Sequence, residues 1–163
     1  MKKAFPSPFT FLKLTLIGIA AGVILIIPLK ILYILTGNTA YLLLFNFDYV
    51  PVLNQLTPVW LFGYIFHFST CICSFIGLYY ILKYLNKQLS LFYYIAVYTV
   101  GGGALFFLTC VSVKPLAENK FTAWLYWTFA HGIFGFAVGL SEEVYKSNII
   151  RKFGLVIHFE NRK

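Results

Sequence analysis

The sequence predicts an all-α integral membrane protein with four transmembrane helices and an interfacial or re-entrant segment after the first. Three observations carry that expectation. Four apolar runs, at residues 14–29, 59–81, 91–113 and 121–140, each approach the ~20 residues a helix needs to cross a bilayer core. The 163-residue chain is 60% hydrophobic and 11% charged, too little polar surface to clothe a water-soluble core of that length. The basic residues stand at the ends of the runs and fall mostly on one side.

The elements follow in order. The first span is expected over residues 11–30, with Lys2, Lys3 and Lys13 before or at its start and Lys30 at its end. Its apolar run is long for a signal-peptide core, and Asn38-Thr39-Ala40 is a poor cleavage site, so it reads as an uncleaved signal-anchor. Residues 31–58 form the irregular segment. Pro28, Gly37, Asn38, Asp48, Pro51, Gln55 and Pro58 argue against continuous helix there, and the apolar stretch 41–47 is too short to span. It is expected to lie at the outer interface or to re-enter, anchored by its tyrosines and phenylalanines.

The second span, residues 59–82, is not uniformly apolar. Tyr64, His67, Thr70, Cys71 and Ser74 fall within about 120° of one helix face at ~100° per residue. The third span, 91–113, contains Gly101-Gly102-Gly103. The fourth, 121–142, carries Trp124, Trp127, His131, Gly135 and Glu142 on one face. Glu142 and Glu143, beside Lys146, read as a solvated helix end, and the tail 143–163 as cytoplasmic. The whole chain is one membrane domain.

Orientation follows from the cations. Lys2, Lys3, Lys13, Lys83, Lys87, Lys146, Arg151, Lys152, Arg162 and Lys163 fall on one side, and Lys30, Lys114 and Lys120 on the other. The positive-inside rule then places both termini in the cytoplasm, which requires an even number of spans.

Ionisable groups in hydrocarbon need partners, so the two stripes form the candidate intramembrane polar pocket: Tyr64, His67, Thr70, Cys71, Ser74, Trp127 and His131. The histidines admit two readings. They could form a proton- or solute-handling pair, or each could lock packing by donating to a carbonyl or hydroxyl of a neighbouring helix. With no embedded carboxylate they make a poor metal site, and no metal or other cofactor is expected. Lys30 is either snorkelling to the outer headgroups or contacting an anionic headgroup or substrate. Gly18-x-x-x-Gly22 and Gly135-x-x-x-Gly139 permit close helix approach, within one chain or in a homodimer.

The excluded classes are as informative. The net charge of +8 is not gathered into a basic patch with exposed aromatics, so nucleic acid is not an expected partner. No Walker loop, HExxH or GxSxG occurs, and the three cysteines lie within spans without a CxxC pair. An enzyme using Lys30 and Asp48 at the outer face would have too few groups to define a reaction.

The stretch Tyr64-Ile65-Phe66-His67-Phe68-Ser69, continuing through Gly77-Leu78-Tyr79-Tyr80, resembles the His-containing span of the YagU-like bacterial inner-membrane proteins. Ala130-His131-Gly132 before a basic tail is similar to their last span, and Gly18-Ile19-Ala20-Ala21-Gly22 with Lys30 eight residues on is similar to their first. Two departures stand out. The Pro-Pro-Arg after the first-span lysine is absent, and Trp127 occupies the place of an acidic residue one turn before the last-span histidine. The resemblance implies a multi-span inner-membrane protein of unassigned activity. The expected role is therefore structural or interactive, with the lipid bilayer and a homo-oligomer or another membrane protein as partners. The alternative is proton or small-solute transport through the histidine-lined pocket.

Overall fold

The structure, a computed structural model, describes residues 7–48, 50, 60–111 and 120–160, with side chains for all of these except 109–111 and 148–160. The described residues hold helices and turns and no strand. Among the described residues, four helices are long and apolar enough to cross a membrane. Loop residues Pro51, Gln55, Pro58 and Lys114, the cations Lys2, Lys3, Arg162 and Lys163, and the side chain of Cys110 lie outside the described residues.

Helix α1 spans Pro8–Thr36. Ser7 caps it, its hydroxyl accepting from the Thr10 N–H at 3.2 Å, and Pro8 sits in the first turn, where its missing N–H costs nothing. The helix passes through Pro28 and ends at Gly37, whose φ of 70° lets its N–H donate to the Tyr33 carbonyl at 3.0 Å. The irregular segment thus begins six residues later than the sequence suggests (residue 37 rather than 31).

Helix α2, Ala40–Leu43, is a single turn. Tyr41, Leu44 and Phe47 are buried rather than splayed over a surface, and the segment packs against α1 and α5. Gly63 accommodates this approach, because a Cβ there would stand 2.8 Å from the Phe45 carbonyl oxygen.

Helix α3 spans Trp60–Tyr84. Asn86, with φ of 57°, closes it: the Asn86 and Lys87 N–H groups donate back to the Lys83 and Leu82 carbonyls at 3.1 and 2.7 Å, a Schellman turn built on asparagine. Helix α4, Leu91–Leu105, tightens into a 3₁₀ stretch over Phe106–Val111. Helix α5, Lys120–Glu160, runs on without a break through most of the expected tail.

The helices are apolar around most of their circumference, so interior positions are chosen by size rather than by polarity. Small residues decide the neighbours. Gly18 and Gly22 lie against Ile72, Phe68 and Cys71 of α3, whereas Gly135 and Gly139 lie against Tyr94, Ile95 and Leu91 of α4. Both Gly-x-x-x-Gly faces are therefore filled within one chain. The resulting order is α3, α1, α5, α4, with α1 also packed on α5. Although consecutive in sequence, α3 and α4 approach closely at few backbone positions, meeting where the Phe75 and Tyr94 rings lie 6.0 Å apart.

Glu142 corrects the sequence expectation of a solvated helix end. It is buried, only 2% exposed, and accepts a hydrogen bond from Lys13 of α1 at 2.8 Å. The Lys13 ammonium also stands over the Tyr145 ring at 4.2 Å and the Tyr79 ring at 5.6 Å. The glutamate instead ties α5 to α1 at the end of the bundle where α1 begins.

Candidate functional site

The gap left between α3 and α4 is a cavity of about 600 Å³. α3 contributes residues from Phe66 to Ile81, α4 from Val97 to Leu105, and α5 contributes Trp127, His131 and Phe134. Leu25 of α1 and Leu43 and Leu44 after the α1 turn complete the wall. The Phe66-to-Ile81 stretch is ~22 Å long at 1.5 Å per residue. Ile81, Val97 and Leu105 are among its exposed residues, so the cleft opens sideways between the two helices.

Six of the seven residues expected to form the polar pocket line this cleft: His67, Thr70, Cys71, Ser74, Trp127 and His131. Tyr64 does not. Its ring packs on Phe45 at 4.4 Å and on Trp60 at 5.8 Å, beyond the cleft. The α4 wall, with Val97, Tyr98 and the glycines 101 and 102, was not singled out as site-forming by the sequence. The run of three glycines was its only signal.

Most polar groups of the wall can be followed to a partner. The His67 Nε2–H donates to the Gly22 carbonyl of α1 at 3.2 Å, with the Cys71 sulfur 3.8 Å from the same nitrogen. This is the interhelical lock expected for a packing histidine. His131 behaves differently, its Nδ1–H donating to the Trp127 carbonyl one turn back in its own helix at 2.8 Å. Thr70 and Ser74 donate to the Phe66 and Cys71 carbonyls at 2.9 and 3.2 Å. The buried Tyr98 hydroxyl has no hydrogen-bond partner among the described residues.

Two indoles hold α4 to α5. Trp127 Nε1–H donates to the Gly102 carbonyl at 2.8 Å and Trp124 Nε1–H to that of Gly103 at 3.1 Å. They clamp consecutive carbonyls just before the helix tightens to 3₁₀. The glycines make this possible, since a Cβ at Gly102 would collide with the His131 side chain. The His131 ring is further held against Trp127, 4.5 Å between centroids.

The two imidazoles thus line one cavity. No Asp, Glu, Lys or Arg is among the described residues of the wall, and no metal-binding cluster occurs among the described residues. A protonated imidazole there would have no counter-charge among the described residues, and the Thr70 and Ser74 hydroxyls are engaged with their own helix rather than linked along the bundle.

Lys30 is exposed at the opposite end of the bundle from Lys13. Its ammonium stands over the rings of Tyr41 at 4.7 Å and Tyr33 at 5.2 Å. Burial, and then the neighbouring Tyr64 hydroxyl, hold the Tyr41 phenol above the usual tyrosine range. Lys30 therefore meets a neutral ring face, and its charge stays available to solvent or headgroups. No protein-family model, no curated protein and no solved structure matches this chain.

Proposed function

We propose that this chain is a multi-pass protein of the bacterial cytoplasmic membrane that holds one lipophilic molecule in the cleft between α3 and α4 and performs no chemistry on it. The observation that carries this reading is the cleft itself: about 600 Å³, predominantly apolar, and open sideways at the depth of the spans. Its size falls within the ordinary range of ligand pockets, roughly 300–1,000 Å³. Its size and apolar lining together suit a lipophile.

Membrane insertion is supported by the apolar outward faces, where Leu16, Ile19, Val23 and Ile27 of α1 are exposed. The lysine distribution supports cytoplasmic termini, and the resemblance to YagU-like proteins supports a bacterial inner membrane. Residues 40–47 act in this reading as a short re-entrant plug, since Leu43 and Leu44 close one part of the cleft and Phe45 packs on His67 at 5.7 Å. Lys30 contacts anionic headgroups beside the plug.

The test uses the full chain extracted with its native lipid and examined by native mass spectrometry. Gly101 lines the cleft, and a Cβ there meets nothing within 4 Å. Gly101→Leu should fill the space without disturbing the packing. A bound lipophile on the wild type that is lost in Gly101→Leu is the expected result. A wild type that carries no adduct, or an adduct unaffected by the plug, refutes the reading.

A further inference from the structure

Resting on that reading, we infer that the cleft selects a neutral lipophile whose polar end is a hydroxyl, bound by donating its one O–H proton to the accepting Nε2 of His131. The wall's hydrogen-bonding inventory leads there. An imidazole that donates to a carbonyl must carry its proton on the donating nitrogen, which leaves the other nitrogen as a lone-pair acceptor. The Gly22 carbonyl puts the His67 proton on Nε2, so Nδ1 accepts. The Trp127 carbonyl puts the His131 proton on Nδ1, so Nε2 accepts. Neither accepting nitrogen has a partner among the described residues, although His67 and His131 are only 4% and 9% exposed.

The donors of the wall are mostly committed. Thr70, Ser74 and the Trp127 indole each donate to a backbone carbonyl, and the Tyr98 hydroxyl is left without a partner among the described residues. What remains for a guest is two imidazole acceptors and the Tyr98 hydroxyl, with no cation among them. A carboxylate or phosphate would bring charge without a counter-charge, and a ketone or ether could meet the Tyr98 hydroxyl but would leave both imidazole acceptors unmet. A hydroxyl supplies the missing proton, and its hydrocarbon portion fills the apolar length of the cleft. The same chemistry is offered by a long-chain alcohol, a diglyceride or a phenol-headed lipid.

The test compares radiolabelled ligands on the purified full chain in detergent: a long-chain alcohol, its methyl ether and the fatty acid of the same length, above the acid's ionisation range. The alcohol is expected to bind about tenfold or more tightly than either, as one well-made hydrogen bond allows. His131→Phe, which keeps a ring against Trp127, should bring alcohol affinity down to that of the ether and leave the ether unchanged. A diglyceride and an alkylphenol, each against its own O-methylated form, separate the possible sources of the hydroxyl. Equal affinity for alcohol and ether on the wild type overturns this inference while leaving the lipophile reading intact. Absence of saturable binding for all three ligands overturns both.

Discussion

Removing the Lys13 ammonium should cost far more than removing both members of its ion pair. Lys13→Met leaves the Glu142 carboxylate, 2% exposed, with one oxygen losing its 2.8 Å donor and the other already lacking a partner among the described residues. The gross attraction across 2.8 Å is ~6 kcal/mol at an effective dielectric of about 20, and much of it is offset by desolvation of the two charges. What the single variant exposes is the uncompensated charge, worth about 3–5 kcal/mol. Lys13→Met with Glu142→Leu replaces the pair by apolar groups of similar reach, and should lie within roughly 1–2 kcal/mol of the wild type in either direction. Equilibrium unfolding in mixed micelles of the four members of the cycle measures this, with a coupling of at least about 2 kcal/mol expected. A Lys13→Met variant as stable as the wild type, with no coupling to position 142, would refute the argument that Glu142 is a buried tie between α1 and α5.

The glycines supply sharper contrasts. Gly102→Ala should destabilise by about 1–3 kcal/mol, because the new Cβ meets His131, while Gly101→Ala one residue away should be neutral or slightly stabilising; thermal unfolding of the pair in detergent decides it. Gly135→Ala places a Cβ 2.6 Å from the Tyr94 carbonyl oxygen, a backbone atom that cannot rotate aside. It should weaken the α4–α5 seam by a similar amount and increase proteolysis of the purified chain. His67→Phe removes the bond to Gly22 and should cost ~0.5–2 kcal/mol in the same unfolding assay.

The spans were legible because apolar runs of the right length leave few other structures open to them. Their ends were less so. Pro28 and Lys30 look like a stop, but the helix tolerates both and ends only where Gly37 supplies the left-handed turn. The glycine stripes announced close approach without naming the partner, and nothing in the sequence indicated that the consecutive helices α3 and α4 would stand apart. The cleft is a consequence of that neighbour order, so no local pattern could reveal it. The polar stripes nevertheless supplied six of its residues, since hydrocarbon leaves such groups only the interior. Glu142 was misread because its cation lies 129 residues away, while Lys146 stands one turn along the same helix. Residues 40–47 were ambiguous for another reason: tyrosine and phenylalanine suit an interface and a buried plug equally well.

Trp127 sits in the wall of the cleft and reports on its contents directly. In a Trp60→Phe, Trp124→Phe background it becomes the single indole of the chain. Titration with a brominated long-chain alcohol in micelles should then quench its fluorescence to saturation, and Gly101→Leu should abolish the saturable component. Quenching that rises in proportion to the alcohol and is indifferent to the plug would contradict a binding cleft between α3 and α4.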